Sequence, residues 1–394
     1  MNNKIKLVRI TTVPISLEKL LDGQLNYMQK YFDVYAVSSD KDRLYDFGEK
    51  KSIKVHHINF IRKITPLRDL LAIYNLCKFL IKEKPEIVHT HTPKAGFIGM
   101  LASTISRIPI RLHTVAGLPL METKGFKKII LFIVEKITYS LASNIYPNSK
   151  GLYDYIIENK IVNKNKLKII DNGSTNGIDI DYFNPNLFSE SDSETLKNKI
   201  RIPMDHKIFL YVGRIVRDKG INELIAAFKK INDLHEKTSL LLVGSYEENL
   251  DPLKKQTLKE INNNPNIYNV GYKKDVRLYF MISDILVFPS YREGFPNVVM
   301  QAGAMEIPAI VSDINGCNEI INEGENGFIV PAKNISSLYN AMDRSIQNKN
   351  IFKSKSSYRI EIVKKYNRKN VWKSLLYEYK ILLDKRKIKY NFNV

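Results

Sequence analysis

Two short stretches in the second half of the chain combine residue types that suit a phosphate ester. In Tyr211–Gly220, YVGRIVRDKG, an apolar strand ends at Gly213. Arg214 and Lys219 follow, and a helix is expected to begin near Gly220. In an open α/β sheet, ligands bind beyond the carboxyl ends of the strands. Two fixed cations there, beside helix N-termini with free N–H groups, suit a diphosphate. A departing diphosphate gains negative charge, so such cations favour the transition state over the ground state. Taken alone, the same two residues equally describe solvated loop charges.

The second stretch is Phe288–Gln301, FPSYREGFPNVVMQ. A strand end is followed by a turn with Pro289 and Ser290, then Glu293 and Gly294, then a helix expected near Pro296. Glu293 reads either as a capping carboxylate or as an acceptor for sugar hydroxyls. The helix N-terminus that follows, with Phe295, Asn297 and Val298, offers backbone N–H groups to a phosphate.

Other reactive side chains have plainer readings. His113 lies at the end of the strand IRLHT and, by itself, reads as a half-buried, hydrogen-bonded residue. His89 and His91 share one strand face, but a third ligand at plausible spacing is missing, so a structural or acceptor-side role is expected. Asp179 and Asp181 form a D-x-D inside NGIDIDYFNP; this reads as connecting structure, and no metal is expected. Cys77 and Cys317 are the only cysteines and lack metal-ligand spacing, which suggests a reducing compartment.

The elements that must position these residues alternate along the whole chain. Apolar strands are expected at IKLVRI (from Ile5), DVYAVS (Asp33), IKVHHI (Ile53), EIVHTH (Glu86), IRLHTV (Ile110), NIYPNS (Asn144) and KLKIID (Lys166). A second set comprises IFLYVG (Ile208), SLLLVG (Ser239), NIYNVG (Asn266), DILVFP (Asp284), PAIVS (Pro308) and GFIVP (Gly327). Strands alternating with helices imply an α/β protein with parallel sheets covered on both faces. From Asn172 to Lys207 the chain is rich in Asn, Asp, Ser, Gly and Pro, with one helical stretch near Glu194, and reads as an interdomain connection. A last helix is expected around Val371–Arg386, with Val371, Leu375, Leu376, Tyr379, Leu382 and Leu383 at helical spacing.

The 394 residues suit two domains, and 44% hydrophobic content suffices for proper cores. The formal net charge of +20 and a pI near 9.5 attract something anionic: nucleic acid, a membrane surface or phosphorylated substrates. The basic residues are spread along the chain, which weighs against nucleic acid. The N-terminus, MNNKIKLVRITTVPIS, reads as a first strand and not a signal peptide. The most apolar run, Ile129–Val134, is too short to span a bilayer. It sits within Lys124–Ser143, KGFKKIILFIVEKITYSLAS, which reads as a helix packed in the first domain or as a surface helix on anionic lipid.

Several motifs in order resemble one family. VGRIVRDKG, YREGFPNVVMQAGAMEIPAIVSDINGCNEII and ENGFIVP are similar to the nucleotide-sugar half of the retaining glycosyltransferases of family 4. LLDGQLNYM, IVHTHTPKAGFIGMLAS, IRLHTVAGLPLMETKGF and DNGSTNGIDIDYFNP resemble the subgroup that assembles capsular polysaccharide and O-antigen. The resemblance implies the GT-B fold, with two facing Rossmann-like domains and a cleft between them. It implies an acceptor domain over 1–185, a nucleotide-sugar domain over 205–368, and a final helix, 369–394, packing back on the first domain. Arg214 and Lys219 match the pair that grips the donor diphosphate, and Glu293 matches the first acid of the E-x7-E element. His113 matches a histidine near the sugar, and Gly23 the glycine of a loop that approaches the diphosphate. Gly294, Phe295, Pro296, Asn297 and Val298 lie where backbone amides meet sugar and phosphate. One departure stands out: the second acid of E-x7-E is Gln301 here. An amide keeps one acceptor oxygen and loses the charge, weakening ribose binding by about 1–2 kcal/mol.

The resemblance further implies a UDP-sugar donor, an N-acetylhexosamine or a relative, and a lipid-diphosphate-linked saccharide acceptor. It implies same-face displacement without a metal, cofactor or nucleic acid partner, by a cytoplasmic enzyme peripheral to the inner membrane face. Rival readings are a GT-B enzyme using a GDP-sugar and a basic nucleotide- or nucleic-acid-binding protein without transfer activity.

Overall fold

The computed structural model describes residues 4–61, 65–247, 251–347 and 355–392. The chain forms two compact units, Met1–Gly177 with Arg368–Val394, and Ile178–Asn367.

The first unit carries strands β1 (Lys6–Ile10), β2 (Asp33–Ser38), β3 (Lys54–His57), β4 (Ile87–His91), β5 (Ile110–Val115) and β6 (Asn144–Pro147). Its helices are α1 (Pro14–Leu20), α2 (Gln24–Met28), α3 (Lys41–Lys51), α4 (Pro66–Glu83), α5 (Pro93–Ile105), α6 (Gly125–Leu141) and α7 (Lys150–Glu158). All strand pairs are parallel and the order is β3-β2-β1-β4-β5-β6. Central β4 is buried at every residue, as a strand covered on both faces must be. One face packs under α4, α5 and α6; the other holds Leu7, Phe32, Ile87 and Leu112.

In the second unit, α8 (Glu190–Ile200) precedes β7 (Lys207–Val212), α9 (Ile221–Leu234), β8 (Thr238–Val243), α10 (Lys255–Asn263) and β9 (Ile267–Asn269). Then come α11 (Arg277–Met281), β10 (Ile285–Phe288), α12 (Asn297–Ala304), β11 (Ala309–Ser312), α13 (Cys317–Ile320), β12 (Gly327–Val330), α14 (Ile335–Gln347) and α15 (Lys355–Tyr366). Its sheet runs β12-β11-β10-β7-β8-β9, again all parallel. Counted from its own first strand, this is the same order as the first sheet. Both units are thus doubly wound.

Three expectations need correction. KLKIID is not a strand: only Leu167 bridges Ile145. Before it, Lys164–Lys166 forms a 3-10 turn, and the Lys166 amine donates to the carbonyls of Ser140 and Ala142 at the end of α6. After it, Asp171, Gly173, Ser174 and Gly177 all have positive φ, which ends any extended run. The segment read as an interdomain connection is also not free. The first unit stops at Gly177, short of 185, because Ile178, Phe183 and Ile202 are buried in the second core. The Arg359 guanidinium fastens that segment by donating to the carbonyls of Ile180 and Phe183 at 2.8 and 2.6 Å. Lastly, His113 does not end its strand: β5 runs on to Val115.

The returning helix α16 (Arg368–Lys385) belongs to the first unit. Leu375, Leu376, Tyr379, Leu382 and Leu383 enter the core beside Leu7 and Ile87. The Trp372 indole donates to Asn176 Oδ1 at 2.7 Å. Tyr379 also meets a buried polar row. Arg9, fully buried, donates to Gln24 Oε1 at 2.6 Å, to the Tyr379 hydroxyl at 3.1 Å and to His91 Nε2 at 3.1 Å. His89 lies between the Tyr379 hydroxyl and Thr114 Oγ1 at 2.6 and 2.7 Å.

These imidazoles are held neutral. Burial pushes His113 down to about 4 and holds His89 and His91 well below the ordinary range. An unfolded imidazole takes up a proton near 6.5, which the folded His113 refuses until about 4. The stabilisation is therefore full above 6.5 and is lost as pH falls through that window. Going from about pH 7 to about pH 5 costs about 2 kcal/mol through His113 alone. Thermal melts across that range test this, with His113→Gln expected to flatten the slope; an unchanged slope contradicts it.

Candidate functional site

In the second sheet the chain starts at β7, winds outward through β8 and β9, then returns to β10 on the other side of β7. The β7–β10 boundary is therefore the point where strand order reverses, the favoured ligand position in such sheets. Two loops leave the carboxyl ends there, 213–220 and 289–296. They touch through backbone: the Pro289 carbonyl oxygen occupies the space a Cβ on Gly220 would need, and Gly220 has φ +72°. Tyr291 N–H donates to the Asp218 carbonyl at 2.9 Å.

That contact brings Lys219 and Glu293 together. The Lys219 ammonium is ion-paired with Glu293 Oε1, and Ser290 Oγ donates to the same oxygen at 2.8 Å. The two side chains are only 15% and 17% exposed, so Lys219 is not a solvated loop charge. Its Nζ also lies 5.9 Å from the Phe288 ring centroid. Nor is Glu293 a cap: α12 starts from Pro296, with no side-chain capping bond.

Arg214 stands at the rim of the same loop with 43% of its side chain exposed. It donates to Glu247 Oε2 at 2.6 Å, and Asp218 lies at 3.9 Å. Burial opposes its charge, but Glu247 outweighs that and holds the guanidinium above its ordinary range. Its backbone is fixed by the buried Tyr211 hydroxyl, which donates to the Arg214 carbonyl at 2.7 Å. Asp218 N–H donates to Asp251 Oδ2 at 2.6 Å, so the turn carrying Lys219 is itself anchored.

The start of α12 completes the cluster. Phe295 is buried, with its ring 5.3 Å from Tyr366, so its side chain anchors the loop. Gly316, at φ +73°, leaves room for Gly294, Phe295 and Pro296 to pass close by. Asn297 and Val298 occupy the first turn of α12, where N–H groups have no intrahelical acceptor. Gln301 is half-buried one turn further on. These groups bring two cations, a helix start and one oriented carboxylate to one edge of the sheet.

Gly23 and His113 lie in the first unit. Gly23 caps α2 at φ +73°, and a Cβ there would come within 2.8 Å of Trp372, so both backbone and packing favour glycine. His113 is 2% exposed, beside Thr90 Oγ1 at 2.8 Å and under Gly96, whose missing Cβ admits the ring. α5 covers the ring on this side. Asp179 accepts from the backbone N–H groups of Asp181 and Tyr182 at 3.2 and 3.1 Å, a turn-forming use of that carboxylate. Among the described residues no cluster of three His, Cys, Asp or Glu side chains is placed to hold a metal.

Three contributors escaped the sequence reading: Ser290, Glu247 and Gly316. Glu247 lies after β8 and Gly316 after β11, so their roles depend on tertiary register alone. Ser290, three residues before Glu293, carried a local signal as a hydroxyl in the same turn.

The chain is similar to known proteins in both halves. A model of "Glycosyl transferases group 1" matches residues 192–365, and one of "Glycosyl transferase 4-like" matches residues 19–149. The capsular polysaccharide biosynthesis glycosyltransferase CapM of Staphylococcus aureus is 32% identical over 381 residues, covering 96% of this chain and 97% of that protein. The UDP-Gal:alpha-D-GlcNAc-diphosphoundecaprenol alpha-1,3-galactosyltransferase of Escherichia coli is 26% identical, covering 93% and 94%. The solved structure of Anabaena Alr3699/HepE in complex with UDP and glucose superposes with a TM-score of 0.78 at 17% identity, covering 96% of this chain and 100% of that one. Matched in both halves and along its whole length, the chain belongs to the group 1 glycosyltransferases of the GT-B fold, among enzymes that resemble those of capsule and O-antigen synthesis.

Proposed function

We propose that this glycosyltransferase is a retaining enzyme that moves a sugar from UDP to a lipid-diphosphate-linked saccharide in surface polysaccharide synthesis. The sugar is an N-acetylhexosamine or a relative such as galactose. The single observation that carries the reading is the half-buried Lys219–Glu293–Ser290 cluster at the strand-order reversal, with Arg214 at its rim. The E. coli relative's name supports a UDP-linked donor and a lipid-diphosphate acceptor, and the Anabaena structure supports UDP.

In this reading Lys219 and Arg214 hold the diphosphate, aided by the first-turn N–H groups of α12. Glu293, tethered by Ser290, accepts from sugar hydroxyls and fixes the ring. Because Glu293 is committed to those bonds, it is not the attacking group of a double displacement. The acceptor hydroxyl instead attacks the anomeric carbon from the face the phosphate leaves. The bond from carbon to phosphate oxygen breaks, the new glycosidic bond forms, and the acceptor's proton passes to the departing phosphate. The protein contributes position and positive charge, with no metal ion required. A lipid-linked acceptor places the enzyme at the cytoplasmic membrane face, as a peripheral protein.

Two outcomes test this. UDP at about a hundred times its Kd should stabilise the protein by about 2.7 kcal/mol, with GDP giving a clearly smaller thermal shift; an equal or larger shift with GDP contradicts the donor assignment. Lys219→Ala should lower kcat for transfer about 100- to 1,000-fold while the folded circular dichroism spectrum is kept; wild-type turnover would remove Lys219 from the site.

A further inference from the structure

The buried polar row of the first unit borders a cavity of about 20 Å³. The cavity lies among the carboxyl ends of β4, β5 and β6 and the side of α16, with Arg9, His91, Thr114, Asn148 and Thr175 in its wall. One water needs about 10–15 Å³, so the space suits one water or one small ion and excludes a saccharide or a phosphate ester. Arg9, His91 and Asn148 are 0%, 1% and 5% exposed. Their polar groups are out of bulk water and must find partners inside.

Two side-chain atoms of this wall have no hydrogen-bond partner among the described residues: His91 Nδ1 and Asn148 Oδ1. The His91 ring accepts at Nε2 from Arg9 Nε and Nη2, at 3.1 and 2.8 Å. A guanidinium only donates, so Nε2 is the bare nitrogen and Nδ1 carries the proton. That orphan is therefore a donor without an acceptor. Of the five N–H groups of Arg9, two meet His91, one meets Gln24 Oε1 and one meets the Tyr379 hydroxyl, which leaves one on Nη1. Asn148 Nδ2 lies 3.2 Å from Thr175 Oγ1. A hydroxyl donates as readily as it accepts, so a turned amide keeps that bond and offers N–H to the cavity.

Charge distinguishes the two possible occupants. Arg9 is fully buried, and every group it bonds is neutral. Among the described residues no Asp or Glu lines the cavity. Glu378, which accepts from the wall residue Tyr146, is already ion-paired with Lys168. A buried charge is costly unless an opposite charge meets it. A water would satisfy the orphans and leave the guanidinium uncompensated, whereas a monatomic anion satisfies the donors and the charge together. We propose that the cavity is a halide site, in which one chloride ion accepts from Arg9, His91 and Asn148. The ion then helps to fasten α16 and the loop at 174–175 to the first sheet.

The test melts the full chain at constant ionic strength while sodium chloride replaces sodium gluconate, whose anion is too large for the cavity. Chloride at about ten times its Kd should multiply the folding equilibrium constant about elevenfold, read as a saturating rise in melting temperature. Asn148→Asp puts a carboxylate in the wall as a built-in counter-charge. That variant should melt at one temperature in both salts, at or above wild type in gluconate. Crystals soaked in bromide should show an anomalous-scattering peak within hydrogen-bond distance of Arg9 and His91. A wild type indifferent to chloride, or an Asn148→Asp variant that keeps the full chloride response, overturns the proposal. So does a cavity without bromide, or bromide there with no chloride effect on melting, which would mark an adventitious ion only. Should Asn148→Asp fail to fold, the wild-type titration and the bromide peak decide the matter by themselves.

Discussion

The pairing of Lys219 with Glu293 is the interaction on which the proposed chemistry depends. Neither residue has a local reason to be half-buried. Lys219 leaves a 3-10 turn after β7, and Glu293 sits in an irregular loop after β10. They meet because adjacent parallel strands release their loops at the same sheet edge, and because Gly220 lets the Pro289 carbonyl approach. A half-buried ammonium is costly without a counter-charge, and a half-buried carboxylate likewise. Each makes the other tolerable, and together they hold a cation and an acceptor at fixed spacing. In the proposed function a diphosphate would bring its own negative charge to Lys219, so binding would release Glu293 toward a sugar without leaving the lysine unpaired.

Much of this architecture is legible in sequence because parallel strands buried on both faces read as continuous apolar runs. β4, β8 and β10 stand out for that reason. KLKIID has the same look, yet it lies beyond the edge strand β6, where one bridge at Leu167 is all that forms before residues of positive φ turn the chain away. The boundary between units was misplaced for a related reason. A stretch rich in Asn and Pro resembles a linker, but Ile178, Phe183 and Ile202 are spaced widely enough to hide in that composition while still filling a core.

The cations and Glu293 were legible as a motif; their partners were not. Glu247 and Gly316 act across strands, and nothing in their neighbours announces it. His113 shows what the motif does not announce. Its motif position suggested chemistry, whereas Gly96 and α5 enclose it, and burial keeps it neutral. The His89 and His91 pair belongs to the device that fastens α16 to the first sheet, through Arg9 and Tyr379. A buried guanidinium bonded only to neutral groups needs every one of them, which makes the return of α16 specific as well as apolar.

The central claim is that Glu293 and a diphosphate share Lys219. The most direct measurement is the calorimetric Kd of UDP for wild type and for Glu293→Gln. Neutralising Glu293 frees the lysine, so UDP should bind the variant as tightly as wild type or more tightly, while sugar transfer falls. Weaker binding of UDP by the variant would contradict the account.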